Sequence, residues 1–168
     1  MITKYMLSGA LVGALILFFW GFATHAGIPG YVLEFRDPQA VNQFVRAHAP
    51  ENGVYFTEEG VLVSVALEPD LRKRTDDMAL LLVREALACI LTAALLAMAL
   101  VWARTESVLG GAKLLGLLGL AAFVAGGVSG WNWWGFSLRF VMVDAVDVIG
   151  GWFFAGLALG ALKKKFSA

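Results

Sequence analysis

Four apolar stretches, each about as long as a bilayer crossing, constrain this chain more than any other feature. They cover residues 6–25, 79–104, 108–129 and 137–162. The hydrocarbon core of a bilayer takes roughly 20 residues of helix. A backbone in lipid must satisfy its own hydrogen bonds, which favours helices over open strands. The expected fold class is therefore an all-α membrane protein. It is a bundle of four transmembrane helices with a small α/β extramembrane loop, residues 27–78, between helices 1 and 2. Residues 1–168 read as a single integral membrane domain.

Composition agrees. Hydrophobic residues make up 60% of the 168, and mean hydropathy is +0.75. A soluble domain sits nearer 45–50% apolar. The 13 basic and 13 acidic residues cancel. Nucleic-acid binding, which leaves a basic stripe, is not expected. Cys89 is the sole cysteine, so neither an internal disulfide nor a thiolate metal cluster is available. The first apolar run is longer than the roughly 7–15 residues of a signal-peptide core and reads as an uncleaved helix.

Orientation follows Lys and Arg near the helix ends. With four spans both termini share one side, which holds Lys4, Arg104, Lys113, Lys163, Lys164 and Lys165. Arg36, Arg46, Arg72, Lys73 and Arg74 fall in the long loop. The tight Lys163–Lys165 run tips the balance. Both termini are expected in the cytoplasm of a bacterial inner membrane, with the loop on the outer face.

Within that loop, "DPQAVNQFVRAHAP" predicts a short helix. Asp37 can cap it, Pro38 suits its first position, and Val41, Phe44 and Val45 form an apolar face. Val54–Phe56 and Val61–Leu67 flank "TEEG", a hairpin pattern in which Gly60 takes a positive φ. Such a hairpin is marginal alone and should pack on the 38–49 helix or on the membrane. The mixed charges of "EPDLRKRTDD" suit the interfacial zone.

The polar residues inside the fourth stretch are the anomaly. Asp144 and Asp147 interrupt "WNWWGFSLRFVMVDAVDVIGGW". An Asp at a helix centre costs about 2.5–3.5 kcal/mol on insertion scales, so it should face the bundle and find a partner. At i and i+3 the two share nearly one face, which Gly151 and Ala155 continue. Arg84, at the outer end of the second stretch, is the first candidate partner. Glu85 beside it points about 100° away around the helix. Arg139 is the alternative, although its long stem could snorkel to the surface. A third arrangement leaves one Asp protonated. Glu85 completes the intramembrane polar cluster.

Trp131, Asn132, Trp133 and Trp134 form an aromatic mouth at the outer entrance, in a short loop bounded by Gly130 and Gly135. Trp concentrates at membrane interfaces. The density here also suits a lid over Asp144. Gly9/Gly13 and Gly156/Gly160 have the spacing of close helix contacts, within the bundle or between chains. No Walker A loop, HExxH, GxSxG or CxxC pattern occurs, and Ser8 and Ser137 have no positioned histidine. His25 and His48 lie too far apart in this topology to sandwich a haem. No catalytic residue, metal site or cofactor is expected.

The block "WNWWGFSLRFVMVDAVDVIGGWFFAGLALGAL", with "GALVGALILFFWGFATHAG" and "ENGVYF", resembles a group of small four-span bacterial membrane proteins. That group carries a C-terminal NWWGF…D…GW…AGL block and no assigned activity. The resemblance covers both ends and part of the loop. It implies a four-span protein of the bacterial envelope. Two functional readings follow from the residues. The first is a non-enzymatic accessory or structural subunit of an envelope complex, meeting a protein partner through loop 27–78 or forming a homo-oligomer. The alternative is a small transporter or proton- or ion-coupled carrier using Asp144, Asp147 and Arg84.

Overall fold

A computed structural model describes residues 2–30, 33–65, 67 and 78–167, the side chain of Ser167 excepted. The chain divides into two compact units, residues 1–31 with 84–168, and residues 32–83.

In chain order the elements are helix α1 (Ile2–Gly27), helix α2 (Pro38–His48), strands β1 (Gly53–Phe56) and β2 (Leu62–Val65), and helix α3 (Met78–Trp102). Helix α4 (Val108–Phe123) continues through a π turn, Val124–Val128, into α5 (Ser129–Trp134). Helix α6 (Leu138–Ala145) continues through a second π turn, Val146–Gly150, into α7 (Gly151–Ser167). Among the described residues, Ile2–Gly27, Met78–Trp102, Val108–Trp134 and Leu138–Phe166 are long and apolar enough to cross a membrane. This is a multi-pass membrane protein with an all-α four-helix bundle and a small α/β excursion.

The third and fourth spans run further than 129 and 162, to Trp134 and Phe166, and a serine caps the start of each. Ser107 Oγ accepts from Gly110 N at 2.9 Å, and Ser137 Oγ from Phe140 N at 3.2 Å. Both satisfy orphan N–H groups of a first turn. Gly135, at φ +65, closes α5 in the left-handed conformation that glycine adopts without penalty. Trp131–Trp134 therefore belong to a helix and not to the loop expected between Gly130 and Gly135.

Lipid offers little hydrophobic gain for helix association, so close backbone approach must supply the contact. Small residues make the seams. A methyl group on Gly13 would stand 2.8 Å from Ala93 Cβ, and one on Gly156 2.7 Å from Ala112 Cα. The Gly9/Gly13 and Gly156/Gly160 pairs thus serve contacts inside this bundle. Tyr5, Leu96, Leu100, Leu115, Ala155 and Leu159 form the core between the seams. Leu7, Leu11, Leu15, Phe19 and Phe22 leave the opposite side of α1 open, the stripe that lipid would cover. A helix apolar all round is what a membrane span requires.

In the 32–83 unit, Asp37 accepts from Gln39 N and Ala40 N at 3.1 and 3.0 Å, with Pro38 at the start of α2. β1 and β2 pair antiparallel, Val54 opposite Ser64 and Tyr55 opposite Val63. The turn closes through Thr57 and through Gly60 at φ +86. Among the described residues of this unit only Ala49 and Val65 are buried. The 68–77 stretch expected at the interface, including Arg72, Lys73 and Arg74, lies outside the described residues, as does Ala66.

Candidate functional site

The π turn Val146–Gly150 places the polar groups of the fourth span. A π turn widens the helix by one residue and disturbs the regular carbonyl ladder. Here the indole of Trp20, on α1, donates its Nε1–H to the Val146 carbonyl at 3.1 Å. Glycine is needed opposite that ring, since a methyl on Gly150 would stand 2.7 Å from Trp20 Cζ2 and one on Gly151 3.0 Å from Cδ1. Phe154 backs the indole with ring centroids 4.7 Å apart.

One turn along α1, buried Thr24 meets Asp147. The Thr24 hydroxyl lies 3.0 Å from both Asp147 Oδ1 and the Gly21 carbonyl and can donate its one hydrogen to either. His25 Nδ1 stands 2.9 Å from the same carbonyl and 3.3 Å from Thr24 Oγ1. A hydroxyl has one hydrogen and two acceptor positions. With Asp147 ionised, Thr24 gives its hydrogen to the carboxylate. With Asp147 protonated, the carboxylic acid can donate to Thr24 Oγ1, and Thr24 donates to Gly21. The same heavy-atom geometry therefore accommodates either protonation state.

Asp147 also lines a cavity of about 150 Å³ with Glu85, Cys89 and Thr92 of α3. Cys89 Sγ lies 3.7 Å from Glu85 Oε1. Asp144 lines a second cavity of about 430 Å³, with Phe123, Gly126 and Gly127 of the third span and Phe136 and Phe140. Asp144 Oδ2 stands 2.7 Å from where a methyl on Gly127 would sit. Thus the first π turn, which contains Gly127, leaves room for the carboxylate beside the second. Thr92, Val148 and Trp152 form walls of both cavities. Asp144 and Asp147 therefore open into adjoining spaces and not into one, although they share a helix.

The structure distributes the other expected residues differently. Arg84 is exposed, and no arginine or lysine forms an ion pair with Asp144 or Asp147 among the described residues. Glu85, not Arg84, shares a cavity with Asp147. Arg139 turns to the end of the first span, where Nη2 donates to the Pro29 carbonyl at 2.7 Å. Its guanidinium fills the space beside Gly30, which sits at φ +67. Trp131, Asn132, Trp133 and Trp134 are all exposed, and Phe136 and Phe140 line the Asp144 cavity in their place. The sequence reading passed over Thr24, Trp20 and Thr92. The repeat of small and hydroxyl residues in "WGFATHAG" was the available signal for the first two. No group of three or more His, Cys, Asp or Glu converges as a metal site among the described residues.

No family model, curated protein or solved structure matches this chain.

Proposed function

We propose that this protein is a small carrier of protons or of a monovalent cation in the bacterial inner membrane, with both termini cytoplasmic. One observation carries the reading. Asp147 lies within a spanning helix, beside a cavity, and its partner is the neutral Thr24 hydroxyl and not a basic side chain. A carboxylate withdrawn from water without a countercharge is neutralised by a proton or a bound cation. Intramembrane carboxylates of this kind mark ion and proton routes. The cavity size favours a small cargo, since about 150 Å³ is the share of only about five water molecules at ~30 Å³ each. Glu85 stands on the α3 side of that cavity, and Asp144 opens into the adjoining one across the shared walls Thr92, Val148 and Trp152. This reading uses Glu85 where the sequence suggested Arg84.

The test is flux in vesicles reconstituted with the full chain. An imposed pH or sodium gradient should collapse faster than in empty vesicles. Asp147→Asn should slow that collapse about tenfold or more, at unchanged membrane accumulation. Thr24→Val should do the same, and Thr24→Ser should retain flux. Wild-type vesicles indistinguishable from empty ones would sink the proposal.

The accessory-subunit reading is favoured by a separate observation. Phe35, Phe44, Val54 and Phe56 are each exposed on the 32–83 unit, large apolar side chains of the kind that a protein partner covers. Purification from native membrane in mild detergent checks it. A stoichiometric partner lost on Phe44→Ser with Phe56→Ser supports a subunit role.

A further inference from the structure

A further cavity lies away from Asp144 and Asp147, at the end of the bundle that carries both termini. It encloses about 550 Å³ and is walled by Tyr5, Arg104, Thr105, Lys163 and Lys164, with apolar Val101 and Phe166 among its other walls. We infer that this cavity binds the phosphate of an anionic phospholipid, with the acyl chains leaving along the apolar side.

Three independent features converge on that ligand. The first is charge. Among the described lining residues, Arg104, Lys163 and Lys164 set three positive charges against the one carboxylate of Glu106. Basic pockets between helices at a membrane surface recognise phosphate headgroups. Lys163 Nζ already donates to the Leu100 and Thr105 carbonyls at 2.7 and 2.8 Å. Those bonds leave its charge in place, so it contributes field, while Arg104 and Lys164 supply direct donors. Arginine in particular offers a planar fork that matches phosphate oxygens.

The second feature is an unsatisfied group. Tyr5 is only 3% exposed, and its hydroxyl is buried with no hydrogen-bond partner among the described residues. Buried hydroxyls are almost always paired. Tyr5 lines the cavity, and a small turn of its ring would let a phosphate or glycerol oxygen accept from it.

The third is backbone strain. Arg104 has φ +52, the one non-glycine residue with positive φ among the described residues. It lies two residues past the end of α3, with its N–H on the Val101 carbonyl at 3.1 Å. Glycine is the usual residue at such a helix end. An arginine there bears a conformational cost, and strain of this sort collects at ligand sites.

Native mass spectrometry of the full chain tests the inference, titrating phosphatidylglycerol against phosphatidylcholine of the same acyl chains. Phosphatidylglycerol should bind about tenfold more tightly. Arg104→Gly should relieve the strain and hold or raise thermal stability while weakening phosphatidylglycerol about fivefold. A purely structural arginine would show no such split. Lys164→Gln should weaken it by a similar factor, and Tyr5→Phe by about threefold. Equal binding of the two lipids, or unchanged affinity in Arg104→Gly, overturns the inference. Displacement of the lipid by inorganic phosphate at equal concentration would assign the cavity to a soluble phosphate instead, and overturns the lipid assignment.

Discussion

The two ends of the bundle handle charge in opposite ways. At the carboxylate end, Asp147 is met by one neutral hydroxyl and opens into a cavity. At the terminal end, the ammonium of Lys163 is held by two backbone carbonyls, Leu100 in the last turn of α3 and Thr105 in the loop after it. The first partner is a neutral side chain and the second is backbone. The second is stable and static, because a cation at a helix C-terminus satisfies orphan carbonyls and opposes the dipole. The first is poised, because a hydroxyl can donate to a carboxylate or accept from a carboxylic acid with little movement. Charge locked by backbone anchors a helix end, whereas charge met by a neutral, reversible partner can change state.

The contrast breaks first at Lys163. Lys163→Met removes a charged donor from two carbonyls, and hydrogen bonds of charged groups are worth about 1.5–3 kcal/mol each. Unfolding of the purified protein in detergent should show a loss of about 3 kcal/mol. A loss below about 1 kcal/mol would mean that the terminal end does not depend on this clamp. Trp20→Phe probes the other end more gently. It deletes the indole bond to Val146 and keeps most of the ring, so about 1 kcal/mol should go. Because the π turn then loses its outside partner, flux should fall along with stability. A variant of full stability and full flux would separate the π turn from the site. Arg84→Gln is expected to do least. An exposed arginine without an ion pair to either aspartate should change stability by less than about 0.5 kcal/mol. A loss of several kcal/mol would restore the buried pairing that its position in sequence suggests.

Much of the fold was legible because it is local. Length and hydropathy were enough for four spans. Asp37 and Pro38 announced α2, and "TEEG" with Gly60 announced the hairpin. Small-residue spacing at Gly9/Gly13 and Gly156/Gly160 marked the seams. The extent of the third span was less visible. Trp131–Trp134 look like an interfacial loop by composition, yet the helix persists until Gly135 can turn it.

The site was legible only in part. Asp144 and Asp147 are conspicuous because a charge in an apolar run is expensive, and that much the amino-acid order determined by itself. Their partners were decided in three dimensions. Choosing by charge pointed to Arg84 and Arg139, since opposite charges are the strongest pairing in isolation. The folded chain sends Arg139 to the Pro29 carbonyl and leaves Arg84 on the surface. The π turns, which no hydropathy pattern reveals, split Asp144 and Asp147 between adjoining cavities and bring Val146 to Trp20. Thr24 became the partner of Asp147 because the small residues of α1 let the first and fourth spans approach closely. Composition is a property of the chain and dictates a membrane bundle. A pairing across 123 residues is a property of helix rotation and distance, which only packing sets.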